Sequence, residues 1–220
     1  MFRIEMLQLV GVGFLESLYM TLLSALIAYL IGLPLGLMLV VTEEGGIKPN
    51  RAVNRVLGIV VNCLRSVPFL ILLVAVIPIT RVIVGTTIGS AATVVPLVIA
   101  AAPFVARMVE SSVKEVDRGV IEAALSMGAS PIQIVCKVLL PEAMPSLLVG
   151  AAIAVTTILG YSAMAGIVGG GGLGAIAINY GYYRKETGIM LVMIVLLVLI
   201  VQLFQEIGTR VARKTDKRIR

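Results

Sequence analysis

The sequence predicts an all-α membrane protein with five transmembrane helices, and three observations carry that prediction. Of its 220 residues, 59% are hydrophobic and only 14% charged, with a mean hydropathy of +1.07. An ordinary soluble domain is about half apolar and about one quarter charged, so this chain has too few charges to coat a globule of its size. Five stretches are apolar over roughly the 20 residues that the hydrocarbon core requires. Finally, those stretches lack the alternation and turn spacing of a membrane β-barrel. A soluble enzyme, a nucleic-acid module and a disordered tail are poor readings.

The first span covers about residues 18–41 and ends at a polar turn over 42–50. Before it, Arg3 is the single early positive charge, Glu5 and Glu16 interrupt, and no small-residue cleavage site follows a short apolar core. The first span is therefore expected to be retained rather than removed as a signal peptide. The second span covers about 57–80, with Arg65 inside it, and the third about 88–106, with Pro96 and Pro103. The fourth runs over about 146–168, where a glycine block stops it. The fifth, about 188–204, holds an unbroken apolar run at 189–201.

Within the spans, Gly32 and Gly36 form a small-xxx-small pair, as do Gly150 and Ala154. Such pairs let helix backbones approach closely where lipid supplies no hydrophobic drive. Pro34, Pro68, Pro78, Pro96 and Pro103 each remove a backbone donor, which favours a bundle that bends or lines a path. No internal repeat of the secondary-transporter kind is visible.

Basic residues orient the bundle. Lys48, Arg51 and Arg55 follow the first span, and Arg107, Lys114, Arg118 and Lys137 follow the third. Arg210, Arg213, Lys214, Lys217, Arg218 and Arg220 follow the fifth, giving thirteen on one side. Arg3, Arg81, Arg184 and Lys185 make only four on the other. The excess predicts a cytoplasmic C-terminus and, with an odd number of spans, an external N-terminus. The net charge of +6 sits beside apolar runs with no interleaved aromatic ladder, so it faces anionic lipid and not nucleic acid.

The residues present exclude most chemistry. Histidine is absent, which removes the commonest metal ligand and general base. Cys63 and Cys136 are far apart and read as small apolar residues in packed helices. Gly169, Gly171 and Gly174 satisfy GxGxxG, yet a span precedes them where a dinucleotide site needs a strand, so they read as an external turn. No GxxxxGK[ST] is present, so the chain carries no phosphate-binding loop of that kind. No catalytic residue and no metal site are predicted.

The longest polar interruption, about 110–145, is too apolar for a linker and predicts two short helices. The first opens with Asp117 as N-cap and closes at Gly128. The second has a capping box of Ser130 and Gln133, with Pro131 at its first position, and is expected to stop before Pro141. A helical pair with apolar faces beside the membrane is built to dock against something.

Glu122-Ala123-Ala124, three residues, Gly128, nine residues, then Val138-Leu139-Leu140-Pro141 resemble the EAA loop of binding-protein-dependent ABC importer permeases. That family usually has isoleucine where this chain has Val138. Residues 65–69, 77–81 and 102–110, with Gly160-Tyr161-Ser162-Ala163-Met164-Ala165-Gly166 and the tract to Tyr182, resemble the methionine-importer branch, and the likeness covers nearly the whole chain. The resemblance implies a type I ABC importer permease fold with a cytoplasmic coupling-helix loop. It implies that Glu122, Ala123, Ala124, Gly128, Leu140 and Pro141 dock an ATPase. It further implies two cytoplasmic ATPase subunits holding ATP and Mg, an extracytoplasmic methionine-binding protein, and a second copy of this chain, all at the inner membrane. This chain itself would carry no cofactor.

The remaining polar residues keep two readings each. Arg65 is either a functional charge within a span or snorkels toward headgroups. Tyr180, Tyr182 and Tyr183 resemble an interfacial belt. Thr156, Thr157, Tyr161, Ser162 and Met164 give the fourth span a polar, polarizable face, explained by core packing or by a translocation path for a zwitterion with an apolar side chain. The sequence thus predicts a methionine permease. An ABC permease for another amino acid or small solute, and an ATP-independent channel or scaffold, are the alternatives.

Overall fold

In the computed structural model, which describes residues 2–216, α1 (Phe2–Thr42) and α5 (Ser90–Lys114) form the central pair. α1 begins well before residue 18: the preceding residues include no proline, and Gly11 and Gly13 are carried within the helix. Gly32 and Gly36 set the α1–α5 distance. A Cβ on Gly32 would lie 2.8 Å from the Ala102 carbonyl oxygen, and one on Gly36 would lie 2.5 Å from that of Ala106. The backbones therefore touch, as the small-xxx-small spacing predicted. Pro34 lies inside α1, and Pro96 and Pro103 lie inside α5, without ending either helix.

The second predicted span is not one helix. α2 (Arg51–Ser66) and α3 (Phe69–Ala75) meet at 102°, and α4 (Ile77–Val84) follows. The cause is local: Pro68 disfavours helical backbone at the preceding residue, and Val67 is extended at φ −80° and ψ 124°. α2 is capped by Asn50, whose side chain accepts from the Val53 N–H at 3.1 Å. It is amphipathic, with Val61 its single buried residue. Among the described residues four helical stretches are long and apolar enough to cross a membrane, and five if the bent pair counts as one span.

α6 (Arg118–Ser126) and α7 (Pro131–Ile134) form the predicted hairpin. The expected stop before Pro141 does not occur. A π-helical turn over Val135–Leu139 carries the chain directly into α8 (Leu140–Ala165). The Leu140 N–H bonds to the Val135 carbonyl, five residues back. This widened turn moves the carbonyl that the Pro141 ring would otherwise strike, so the proline is accommodated.

α8 is central, packing on α1, α5, α10 (Thr187–Thr215) and α9 (Gly172–Ile176). Its buried Gly150 lies over Met108 of α5, and Ala154 is fully buried. The main core joins α1, α5, α8 and the root of the hairpin, while a second cluster joins α9 and α10 to the start of α1. Cys63 and Cys136, expected in packed helices, are both exposed, since each lies on the outer side of an amphipathic segment. Lys217, Arg218 and Arg220 of the basic tail lie outside the described residues.

Candidate functional site

The hairpin is built by local signals. Asp117 accepts from the Gly119 N–H at 2.6 Å, opening α6. At its other end the Ala129 N–H bonds to the Ala124 carbonyl at 3.1 Å and the Gly128 N–H to that of Leu125 at 2.9 Å. These two bonds make a Schellman motif, which places Gly128 in the left-handed region at φ +77°. Ser130 and Gln133 then exchange the two bonds of a capping box.

The EAA segment presents two faces. Glu122 and Ala123 point outward, whereas Ala124 is only 4% exposed and packs in the core with Val116, Ile134 and Leu139. Pro141 is exposed, and Leu140 is half-buried against the same core. The outward face also carries Met127, 82% exposed, and Ile132, 76% exposed. Ile132 is one of the apolar residues that predict the hairpin, but neither it nor Met127 is among the expected docking residues. The available signal was their position on either side of the Gly128 turn, where no neighbouring turn of helix covers them.

Behind the hairpin lies a charged network that the sequence did not reveal. Arg107 donates from Nη1 to Glu110 Oε2 at 2.6 Å, and from Nη2 to the Gly58 carbonyl at 3.2 Å and to Asn62 Oδ1 at 2.8 Å. Lys114 Nζ reaches Glu110 Oε1 at 3.0 Å and Glu43 Oε1 at 2.8 Å. Arg107, Glu110 and Lys114 share one face of α5 by helical spacing. Arg65, by contrast, is exposed in the last turn of α2, where a cation suits the helix dipole.

The residues of the candidate path on α8 diverge. Met164 is 47% exposed, on a stripe with Val149, Ile153 and Gly160. Ser162 is buried, and its hydroxyl donates to the Leu159 carbonyl at 2.8 Å. Tyr161 is half-buried and stacked on Phe69. Thr156 and Thr157 bond carbonyls of their own helix. At the far end of the bundle the glycine block is clamped: Glu16 and Ser17 accept the N–H groups of Gly172 and Leu173. Arg184 lies over the Tyr180 ring at 4.2 Å, and Tyr182 meets Tyr183 edge to face.

Residues 32–217 match the family described as binding-protein-dependent transport system inner membrane component. The chain is 51% identical over 203 residues to the probable D-methionine transport system permease protein of Vibrio cholerae serotype O1, covering 92% of this chain and 90% of the relative. It is 46% identical over 211 residues to the corresponding probable protein of Pasteurella multocida, covering 96% and 97% of the two chains. A solved inward-facing conformation of the MetNI methionine ABC transporter, in its native crystal form, superposes with a TM-score of 0.95 at 49% identity. That match covers 97% of this chain and 99% of the other. Four membrane-length helices among the described residues, a short helical hairpin between the third and fourth predicted spans, and similarity over nearly the full length agree: the chain belongs to the family of inner-membrane components of binding-protein-dependent transport systems.

Proposed function

We propose that this chain is the permease subunit of an ATP-driven methionine importer of the inner membrane. The observation that carries the reading is its half-identity, end to end, to proteins named for D-methionine and methionine transport. The hairpin supports the ATP-driven part. Met127 and Ile132 are large apolar side chains with no cover, beside small Ala123 and a single charge at Glu122, which suits insertion into a cleft. In this reading two copies of the chain form the pathway, and two cytoplasmic ATPase subunits hold ATP and Mg and receive Glu122, Ala123 and the Gly128 turn. Ala124 and Leu140 support the hairpin from behind, while Pro141 is exposed. The basic excess puts the hairpin and C-terminus in the cytoplasm and the N-terminus outside, where a methionine-binding protein delivers substrate.

ATP binding closes the ATPase pair and moves the docked hairpins, which biases the bundle between inward- and outward-open states. The face of α8 around Met164 and Tyr161, with Ser162 behind it, offers a polarizable surface without fixed charge, suited to a thioether side chain. The chain has no bond to make or break.

Vesicles containing this chain with its cognate ATPase and binding protein test the reading. ATP-dependent methionine uptake requiring all three components is expected, with little competition from other amino acids. Preferential uptake of a different amino acid would favour the alternative of an ABC permease for that solute. Uptake indifferent to ATP would remove the importer reading.

A further inference from the structure

Arg107 and Glu110 lie toward the C-terminal end of α5, just beyond the third predicted span, with only 24% and 12% of their side-chain surface exposed. Taking charged groups this far from water costs free energy unless they are paired. Stability alone does not explain them, because a well-packed apolar pair of similar volume is often at least as stable as a buried ion pair. What the pair supplies is direction. The Arg107 guanidinium holds three acceptors at once: the Glu110 carboxylate on its own helix, and the Gly58 carbonyl and Asn62 amide on α2.

α2 has few other polar ties: Asn54 Nδ2 reaches Thr42 Oγ1 at 3.3 Å, and Arg51 pairs with Glu44 at the exposed start of the helix. It buries one side chain, Val61, in a small cluster with Leu39 and Ala106, and its Asn54 amide donates to the Leu39 carbonyl at 2.7 Å. The other end of the network is the root of the hairpin. Glu110 shares Lys114, the last residue of α5, with Glu43 of the α1–α2 connection, and Asp117 just beyond caps α6. Past Asn62, α2 ends at the Pro68 corner, and the next residue, Phe69, stacks on Tyr161 of α8.

We propose that Arg107 is a positioning residue for energy coupling: its guanidinium clamps α2 to the helix that carries the docking hairpin, so that displacement of the hairpin moves the Pro68 corner. The inference rests on the importer reading above, with the hairpin as its ATPase contact. A flexible link at this point would let the ATPase cycle without moving the broken span. The clamp makes α5, the α1–α2 connection and α2 one body.

The test uses the whole complex in proteoliposomes and reads methionine imported per ATP hydrolysed. Arg107→Ala should assemble and hydrolyse ATP, while the ratio falls about fivefold or more, the low end of ordinary coupling between sites. Asn62→Ala, which removes one exposed acceptor of the Arg107 guanidinium, should lower the ratio less. It should add nothing when combined with Arg107→Ala, and Arg107→Lys should recover part of the loss. Cys63, exposed and adjacent to Asn62, gives a second readout in a Cys136→Ser background. Its maleimide labelling rate should change on ATP binding in the parent and stop responding in Arg107→Ala. An unchanged ratio in Asn62→Ala and Arg107→Ala, or additive losses in the double variant, would overturn the clamp. If Arg107→Ala fails to assemble, an unaltered ratio and an unaltered Cys63 response in Asn62→Ala overturn it alone. If the parent complex transports another solute, the substrate reading fails by itself, and the Cys63 response still decides the clamp.

Discussion

Phe69 lies face to face with Tyr161, with ring centroids 4.6 Å apart and planes 6° from parallel. The pair joins the first residue of α3 to the C-terminal part of α8. Pro68 turns the chain by 102° immediately before it, so this stack is where the broken span is anchored to the bundle. Removing the Phe69 ring, which is buried, opens a void that typically destabilises by about 3–5 kcal/mol. Phe69→Ala should therefore lower the melting temperature of the detergent-solubilised protein strongly. Tyr161→Phe keeps the stack and should melt like the parent. A double-mutant cycle over Phe69→Ala and Tyr161→Ala should return about 0.5–1.5 kcal/mol for the ring pair; a coupling near zero would show that the corner is held by other contacts.

Gly128 isolates a different effect. A Cβ there would meet no atom within 4 Å, so a substitution suffers only from the positive φ. A β-branched residue held in that region is strained by about 1–3 kcal/mol, whereas asparagine tolerates it. ATPase association measured by co-purification should rank the parent first, Gly128→Asn next and Gly128→Val last. Equal association of Val and Asn variants would mean that the turn does not need its left-handed residue.

The features legible in the sequence were those set by neighbours in the chain. Asp117, Gly128, Ser130 and Gln133 act within a few residues of themselves, and α6 begins and ends, and α7 begins, where they predicted. Gly32 and Gly36 were legible because a spacing of four puts both on one helix face. The two prolines show the limit. Pro68 breaks a helix and Pro141 does not, though both punctuate apolar runs in the same way. What separates them is the π turn over Val135–Leu139, which no local residue type announces. The Arg107 network was hidden for a related reason, since its partner Asn62 lies 45 residues away on another helix. Ser162 and Met164 are two positions apart, which on a helix turns them to different sides, so one is buried and the other exposed.

That same geometry divides the EAA segment into two testable halves. Ala124 is buried within the protomer, so Ala124→Glu would place an unpaired carboxylate in the core and should impair insertion or folding before any docking is tested. Ala123 is exposed, so Ala123→Glu should fold with a parent-like melting temperature and still lose ATPase association. The two readouts, melting and co-purification, should move in opposite variants. Loss of association with Ala124→Glu alone, with Ala123→Glu binding normally, would turn the docking face around.

At the opposite end of the bundle, α1 supplies the cap that α9 lacks. Gly172 N–H donates to Glu16 Oε2 at 2.7 Å and Leu173 N–H donates to Ser17 Oγ at 2.9 Å, joining residues 156 positions apart. Leu173 is fully buried, so its N–H has no access to water if the hydroxyl is removed. Leaving such a donor unpaired costs about 1–3 kcal/mol, and Ser17→Ala should lower thermal stability by that amount. Glu16→Gln keeps an acceptor oxygen and should be nearly silent, which separates hydrogen bonding from charge. Gly172→Ala should be worst, because its φ is +75° and the added Cβ would sit 2.6 Å from Ser17 Oγ. The order expected from differential scanning fluorimetry is Glu16→Gln above Ser17→Ala above Gly172→Ala. If Ser17→Ala melts with the parent while Glu16→Gln does not, the clamp is electrostatic and the hydroxyl is incidental.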